Sequence, residues 1–183
     1  MRLSILAAAL ALACAGPAAA RSSPLPAPVP AAAPADVASP EAIVTALYEV
    51  ISGDAGVARD WDRFRSLFHP TGRLMPSGTD REGQGRVRAI TPDEYIAGSE
   101  PFLVGEGFHE REIARSTERF GSIVHVWSTY EAVRSLSDSA PFVRGINSIQ
   151  LFHDGARWWV ISVYWQAETP DAPIPAAYLP SPA

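Results

Sequence analysis

The apolar positions of this chain follow a helical period in its first half and long β-type runs in its second. Ser39-Pro40-Glu41 sets a Ser at the cap and a Pro at the first helical position, where no N–H is needed. Ile43, Leu47, Val50 and Ile51 then form one stripe, with Val44 and Tyr48 beside it, and Gly53 is the stop. The run Asp60 to Phe68 predicts a second helix with Trp61, Phe64, Leu67 and Phe68 on one face, ended by His69-Pro70. Asp60 and Asp62 suit its positive end. A short strand is predicted at Arg73–Pro76, a polar turn over 77–85 and a second short strand at Arg86–Ile90. Thr91-Pro92 opens a third helix that runs to about Leu103.

The remainder reads as four long strands: Phe108–Arg119, Ser122–Arg134, Phe142–His153 and Ala156–Glu168. Phe120-Gly121 and Asp154-Gly155 look like two-residue hairpin turns. That register sets Ser116 opposite His125, Ala114 opposite Trp127, Ile149 opposite Val160 and Asn147 opposite Ser162. The last strand is apolar on both faces, with Trp158, Val160, Ser162 and Tyr164 on one and Trp159, Ile161, Val163 and Trp165 on the other. The first set is expected to face inward. The second needs a cover, most simply another subunit, which predicts a homodimer through the sheet.

The ends differ in composition. Of 17 prolines, seven fall in residues 17–40 and five in 170–182. Residues 1–20 have Arg2, then an apolar run from Leu3 to Ala13, then Ala18-Ala19-Ala20, the three-part form of an export signal. Two routes fit: cleavage after Ala20, or a lipid on Cys14, which would be the chain's only membrane attachment. The expected location is periplasmic or secreted. Residues 21–39 read as an extended Pro/Ala-rich linker and 170–183 as a Pro-rich tail, leaving 40–169 as one domain.

Within 40–169 the order of elements resembles the NTF2-like superfamily, in its SnoaL-like branch. The residues that carry the likeness are the helix from Pro40 to Ser52, Asp-Trp-Asp-Arg-Phe-x-x-Leu-Phe at 60–68, HVWSTYE at 125–131 and DGARWWVISVYWQAE at 154–168. The resemblance implies an α+β cone, three N-terminal helices packed in a strongly curved antiparallel sheet, with a pocket at the wide end. Ketosteroid-isomerase-like members place an acid in that pocket as a base. No residue here matches such a motif individually.

Composition narrows the chemistry. The chain has 15 Arg and no Lys, one Cys, four His and a formal charge of −5. Schiff-base and P-loop lysine chemistry, disulfides and Cys-rich metal sites are thereby excluded. No basic cluster suggests a nucleic-acid partner. There is no G-x-S-x-G, and H-E-x-x-H fails because the fifth position of a motif opening at His109-Glu110 is Ile113. A metal site from His109, His125 and Glu112 has no spacing that enforces it, so neither metal nor cofactor is expected. The candidate catalytic groups are His109, His125 and Tyr130. Asn147, the only Asn, sits mid-strand, where Asn is unfavoured; a pocket contact and a structural hydrogen bond both fit. The expected pocket set is Tyr48, Trp61, Asn147, Trp158, Ser162 and Tyr164. The function expected is binding of a small apolar or amphipathic ligand. The alternatives are a cofactor-independent acid–base enzyme of isomerase, cyclase or dehydratase type, and a tethered interaction module.

Overall fold

Ser39 accepts a hydrogen bond from the Ala42 amide and starts α1, Pro40–Ile51, which buries Ile43, Val44, Leu47, Tyr48, Val50 and Ile51. The computed structural model describes residues 29–180; the expected leader and Cys14 lie outside them. Asp60 caps α2, Trp61–Leu67, by accepting from the Arg63 amide. The chain turns directly into β1, Phe68–Thr79, much longer than the short strand expected, then into β2, Gly85–Val87. Thr91 and Glu94 form a reciprocal capping box at α3, Pro92–Glu106, which runs through Pro101. The strands β3, His109–Phe120, β4, Ile123–Val133, β5, Val143–His153, and β6, Trp158–Ala167, complete the sheet among the described residues.

The strand order is β2-β1-β6-β5-β4-β3, open at both edges; β1 runs parallel to β6 and the other pairs are antiparallel. Three irregularities bend the sheet around the helices: at Ile113 in β3, between Phe68 and Arg73 in β1, and at Ile161 in β6. The helices fill the concave side, where Phe64, Leu67, Phe68, Val124, Val126, Ile149 and Val160 are almost wholly buried.

Both hairpins differ from the register read from sequence. Phe120 pairs with Ile123, so the turn is Gly121-Ser122, and Gly121 takes the positive φ of 56° that a primed turn needs. Ser116 therefore faces Trp127, and His125 faces Glu118. The β5–β6 loop has four residues, because the Asp154 carboxylate accepts from the amides of Ala156 and Arg157 and from the Trp159 indole. These donors push the Asp154 carboxyl down to about 2. Each of these shifts is of two residues and preserves the faces. The extra residue Ile161 does not: Leu151 pairs with Val160, but Ile149 pairs with Val163 and Asn147 with Trp165. Trp158 and Val160 point inward as expected. Ser162 and Tyr164 do not: they are turned to the convex face, and Val163 and Trp165 come in instead.

Two terminal segments pack where extended chain is expected. Pro34–Val37 forms a 3-10 turn that buries Val37, and Asp36 pairs with Arg63 through two hydrogen bonds of 2.8 and 2.9 Å. The guanidinium holds the Asp36 carboxyl below the usual carboxylate range. The C-terminal segment folds back over the convex face. Thr129 Oγ1 donates to the Tyr178 carbonyl at 2.6 Å, the Trp127 and Tyr178 rings lie 5.7 Å apart, and Ile174 N donates to Glu168. Part of the cover predicted for this face is thus the chain's own tail.

Candidate active or binding cavity

Helix α3 lies across the mouth of the cone, and a cavity of about 410 Å³ remains between α1, α3 and the inner sheet. Its walls are apolar: Leu47, Ile51 and Phe64 from the first two helices, Phe102 and Leu103 from α3, and Phe108, Phe142, Val163 and Trp165 from the sheet side. That composition suits a small, mostly apolar guest. The polar atoms converge from Tyr48, Tyr95, Glu110, Tyr130 and Asn147.

Glu110 is the only carboxylate among the lining residues. It sits on β3 at the inward position opposite Ala132, and its amide donates to the Ser52 hydroxyl oxygen at 3.0 Å. Its side chain receives one hydrogen bond, from Asn147 Nδ2 at 3.3 Å. Desolvation outweighs that single donor and pushes the Glu110 carboxyl up to about 8. The same burial, with the charge of Glu110, raises the phenols of Tyr48, Tyr95 and Tyr130 above the ordinary tyrosine value. At neutral pH the cavity therefore holds a neutral acid among neutral phenols.

Tyr130 owes its place to Gly145, its cross-strand partner. A Cβ at Gly145 would lie 2.4 Å from the Tyr130 hydroxyl and 2.5 Å from the Gln166 carbonyl, so only Gly lets the phenol cross the strand. Behind the cavity Tyr48 Oη lies 2.7 Å from Ser128 Oγ, and Asn147 Nδ2 donates to Tyr48 Oη at 3.0 Å. Ser128 donates to Glu112, which is paired with Arg115. Glu112 and Arg115 line a second, polar cleft of about 550 Å³. Tyr48 and Glu110 line both spaces and form the partition between them.

The structure brings Tyr48, Tyr130 and Asn147 of the residues singled out from sequence into this cavity. The other candidates lie elsewhere. His109 binds Asp54 at 2.8 Å at one end of the β3–β4 ladder, and His125 binds Ser148 at 3.0 Å toward its other end. Glu112 is not near both histidines, so the three do not form one site. Trp61 donates to Glu100 on the surface. Trp158 is buried at the narrow end, against His153 and beneath Arg119. Ser162 and Tyr164 are on the convex side because of the Ile161 bulge. Glu110 and Tyr95 were not legible as cavity residues. The run His109-Glu110-Arg111-Glu112 reads as a solvated edge strand, and only its alternation hints that Glu110 turns inward.

No protein-family model and no curated protein sequence matches the chain. Solved structures do. A protein of unknown function with a cystatin-like fold from Nostoc punctiforme superposes with TM-score 0.53 at 11% identity, covering 70% of this chain and 87% of its own. The Kfla4162 protein from Kribbella flavida gives 0.51 at 12% identity, covering 69% and 86%. An NTF-2 like protein of unknown function from Silicibacter pomeroyi gives 0.49 at 17% identity, covering 72% and 94%. At such identities a likeness speaks to fold alone. With three helices held in a bent, open six-stranded sheet, this chain shares an α+β cone fold with the Nostoc and Kribbella proteins, the first of them described as cystatin-like.

Proposed function

We propose that this chain binds a small, largely apolar ligand in the cone, held at one end by Glu110, Asn147, Tyr48 and Tyr130. The observation that carries the reading is one carboxyl group, desolvated and without a cationic partner, facing a roomy apolar cavity. A structural carboxylate is usually paired or solvated; this one is kept in its neutral form by its surroundings. 2-Decalone, a neutral bicyclic ketone, is a suitable probe. Its affinity, measured by calorimetry, is expected to be constant below pH 7. Between pH 7 and 9 it should weaken by about tenfold, as Glu110 loses its proton and places a charge in the cavity. Glu110→Gln should remove that dependence. Absence of binding, or an affinity indifferent to pH in the native protein, would refute the reading.

A second reading, a cofactor-independent acid–base enzyme, is favoured by the same carboxyl, since a proton acceptor or donor near neutrality is what such catalysis needs. Turnover of a β,γ-unsaturated ketone that disappears in Glu110→Gln while binding persists would select it over simple binding. Export is part of the proposal and is supported by the pattern of residues 1–20. A sheet-mediated homodimer is supported only where the tail leaves the convex face open, at the row Phe120, Ile123, Phe152 and Trp159. Sedimentation of the mature chain would test it.

A further inference from the structure

The hydrogen bonds leading out of the cavity run in one direction, and the residue that sets it lies outside. Arg115 offers only donors. Its Nη2 is 2.7 Å from Glu112 Oε2, and its Nε is 2.9 Å from both carboxylate oxygens. Glu112 so paired is an acceptor only, and Ser128 Oγ donates to its Oε1. With its one proton committed there, Ser128 can only accept from Tyr48 Oη, 2.7 Å away. Tyr48, its own proton committed outward, meets Asn147 as an acceptor of Nδ2 at 3.0 Å. This also decides which way the Asn147 amide is turned, and leaves its other Nδ2 hydrogen for Glu110 at 3.3 Å. Ser128 is wholly buried and Tyr48 nearly so, so no solvent offers either hydroxyl a substitute partner.

We infer that the Arg115–Glu112 pair, in the outer cleft, makes Tyr48 a hydrogen-bond acceptor in the cavity, so that the site selects an alcohol over the matching ketone at that position. The inference rests on the ligand-binding reading above. A ligand hydroxyl can donate to the remaining lone pair of Tyr48. A ketone placed there sets two acceptor oxygens face to face. Turning the phenol proton inward to meet it would break the buried bond to Ser128. Glu110 can still serve an acceptor elsewhere on either ligand, so the informative quantity is the ratio of the two affinities. Glu112 and Ser128 are positioning residues in this scheme, since neither needs to touch the ligand.

The experiment measures binding of 2-decalol and 2-decalone to the full chain at pH 7 in three proteins. The native chain should bind the alcohol about fivefold more tightly, the value of one neutral hydrogen bond. In Glu112→Gln the donors of Arg115 hold the new carbonyl oxygen at the Oε2 position and turn the amide NH₂ toward Ser128. Ser128 then donates to Tyr48, whose proton swings into the cavity, and the preference should reverse to the ketone. Ser128→Ala leaves Tyr48 free to turn either way, and the ratio should fall to about one. Equal ratios in all three proteins would overturn the inference while the cavity remains a binding site. Failure of the native chain to bind either compound would overturn the binding reading, and this inference with it.

Discussion

Glu110→Gln is expected to leave stability unchanged near pH 4 and to raise it strongly at pH 8. The folded state pushes the Glu110 carboxyl up to about 8, from an ordinary value near 4.5. Between these values the folded chain keeps a proton that the unfolded chain has released. Stability contributed by the neutral carboxyl is then complete below the unfolded value and is lost as pH rises, until the folded group also ionises. At about 1.4 kcal/mol per pKa unit, the native protein should lose roughly 3–5 kcal/mol over this window. Gln has the shape of the neutral acid, still accepts from Asn147, and does not titrate. Urea denaturation at pH 4, 6 and 8 should show the native midpoint falling and the variant's holding level at this contribution. Parallel profiles for the two proteins would mean that Glu110 is solvated in the folded state. The reason to expect the effect is the lack of a cation at the site: Arg115 is committed to Glu112.

Arg59→Met should be the most damaging single replacement away from the cavity. Arg59 is 7% exposed, and its guanidinium donates to the carbonyls of Ile51, Gly53, Asp54, Val57 and Leu103. Ile51 ends α1 and Leu103 lies in the last turn of α3, so one cation meets the negative ends of two helices. The Ile51 and Leu103 carbonyls, at helix ends without helical partners, would be left buried without donors, whereas Gly53 and Asp54 also accept from the amides of Phe108 and Val57. Gly53 makes room for the arrangement, since a Cβ there would lie 2.5 Å from Arg59 Nη1. We expect a loss of about 3–5 kcal/mol, seen as a fall in thermal midpoint of roughly 10 °C. Arg59→Lys, with three donors on a point charge, should recover less than half. A loss under about 1 kcal/mol would show that the loop from Gly53 to Asp60 repacks without it.

These two residues show different limits of reading the chain alone. The signal at Arg59 is absent from sequence: a charged residue between Ala58 and Asp60 reads as surface, and only the approach of α3 to the end of α1 encloses it. Asn147 was conspicuous because it is a misfit in a strand, and it is the residue that links Tyr48 to Glu110. Glu110 was hidden because it fits its surroundings in sequence, one charge among several. The histidines drew notice for their chemistry, yet their side chains meet Asp54 and Ser148.

Caps, stripes and long β-rich runs determined the order of helices and strands, and with it the α+β cone. These features are local: a Ser or Thr before Pro, a period of three to four, a Gly that allows positive φ. The faces of β6 beyond its midpoint were decided only by the tertiary structure. One extra residue at Ile161 inverts all that follow it, exchanging Ser162 and Tyr164 for Val163 and Trp165 in the interior. No pattern announces that bulge, because both faces of the strand are apolar and alternation carries no contrast. The upward shift of the Glu110 carboxyl is likewise a property of the assembled cone, since its desolvation arises only when helices, sheet and α3 come together around it.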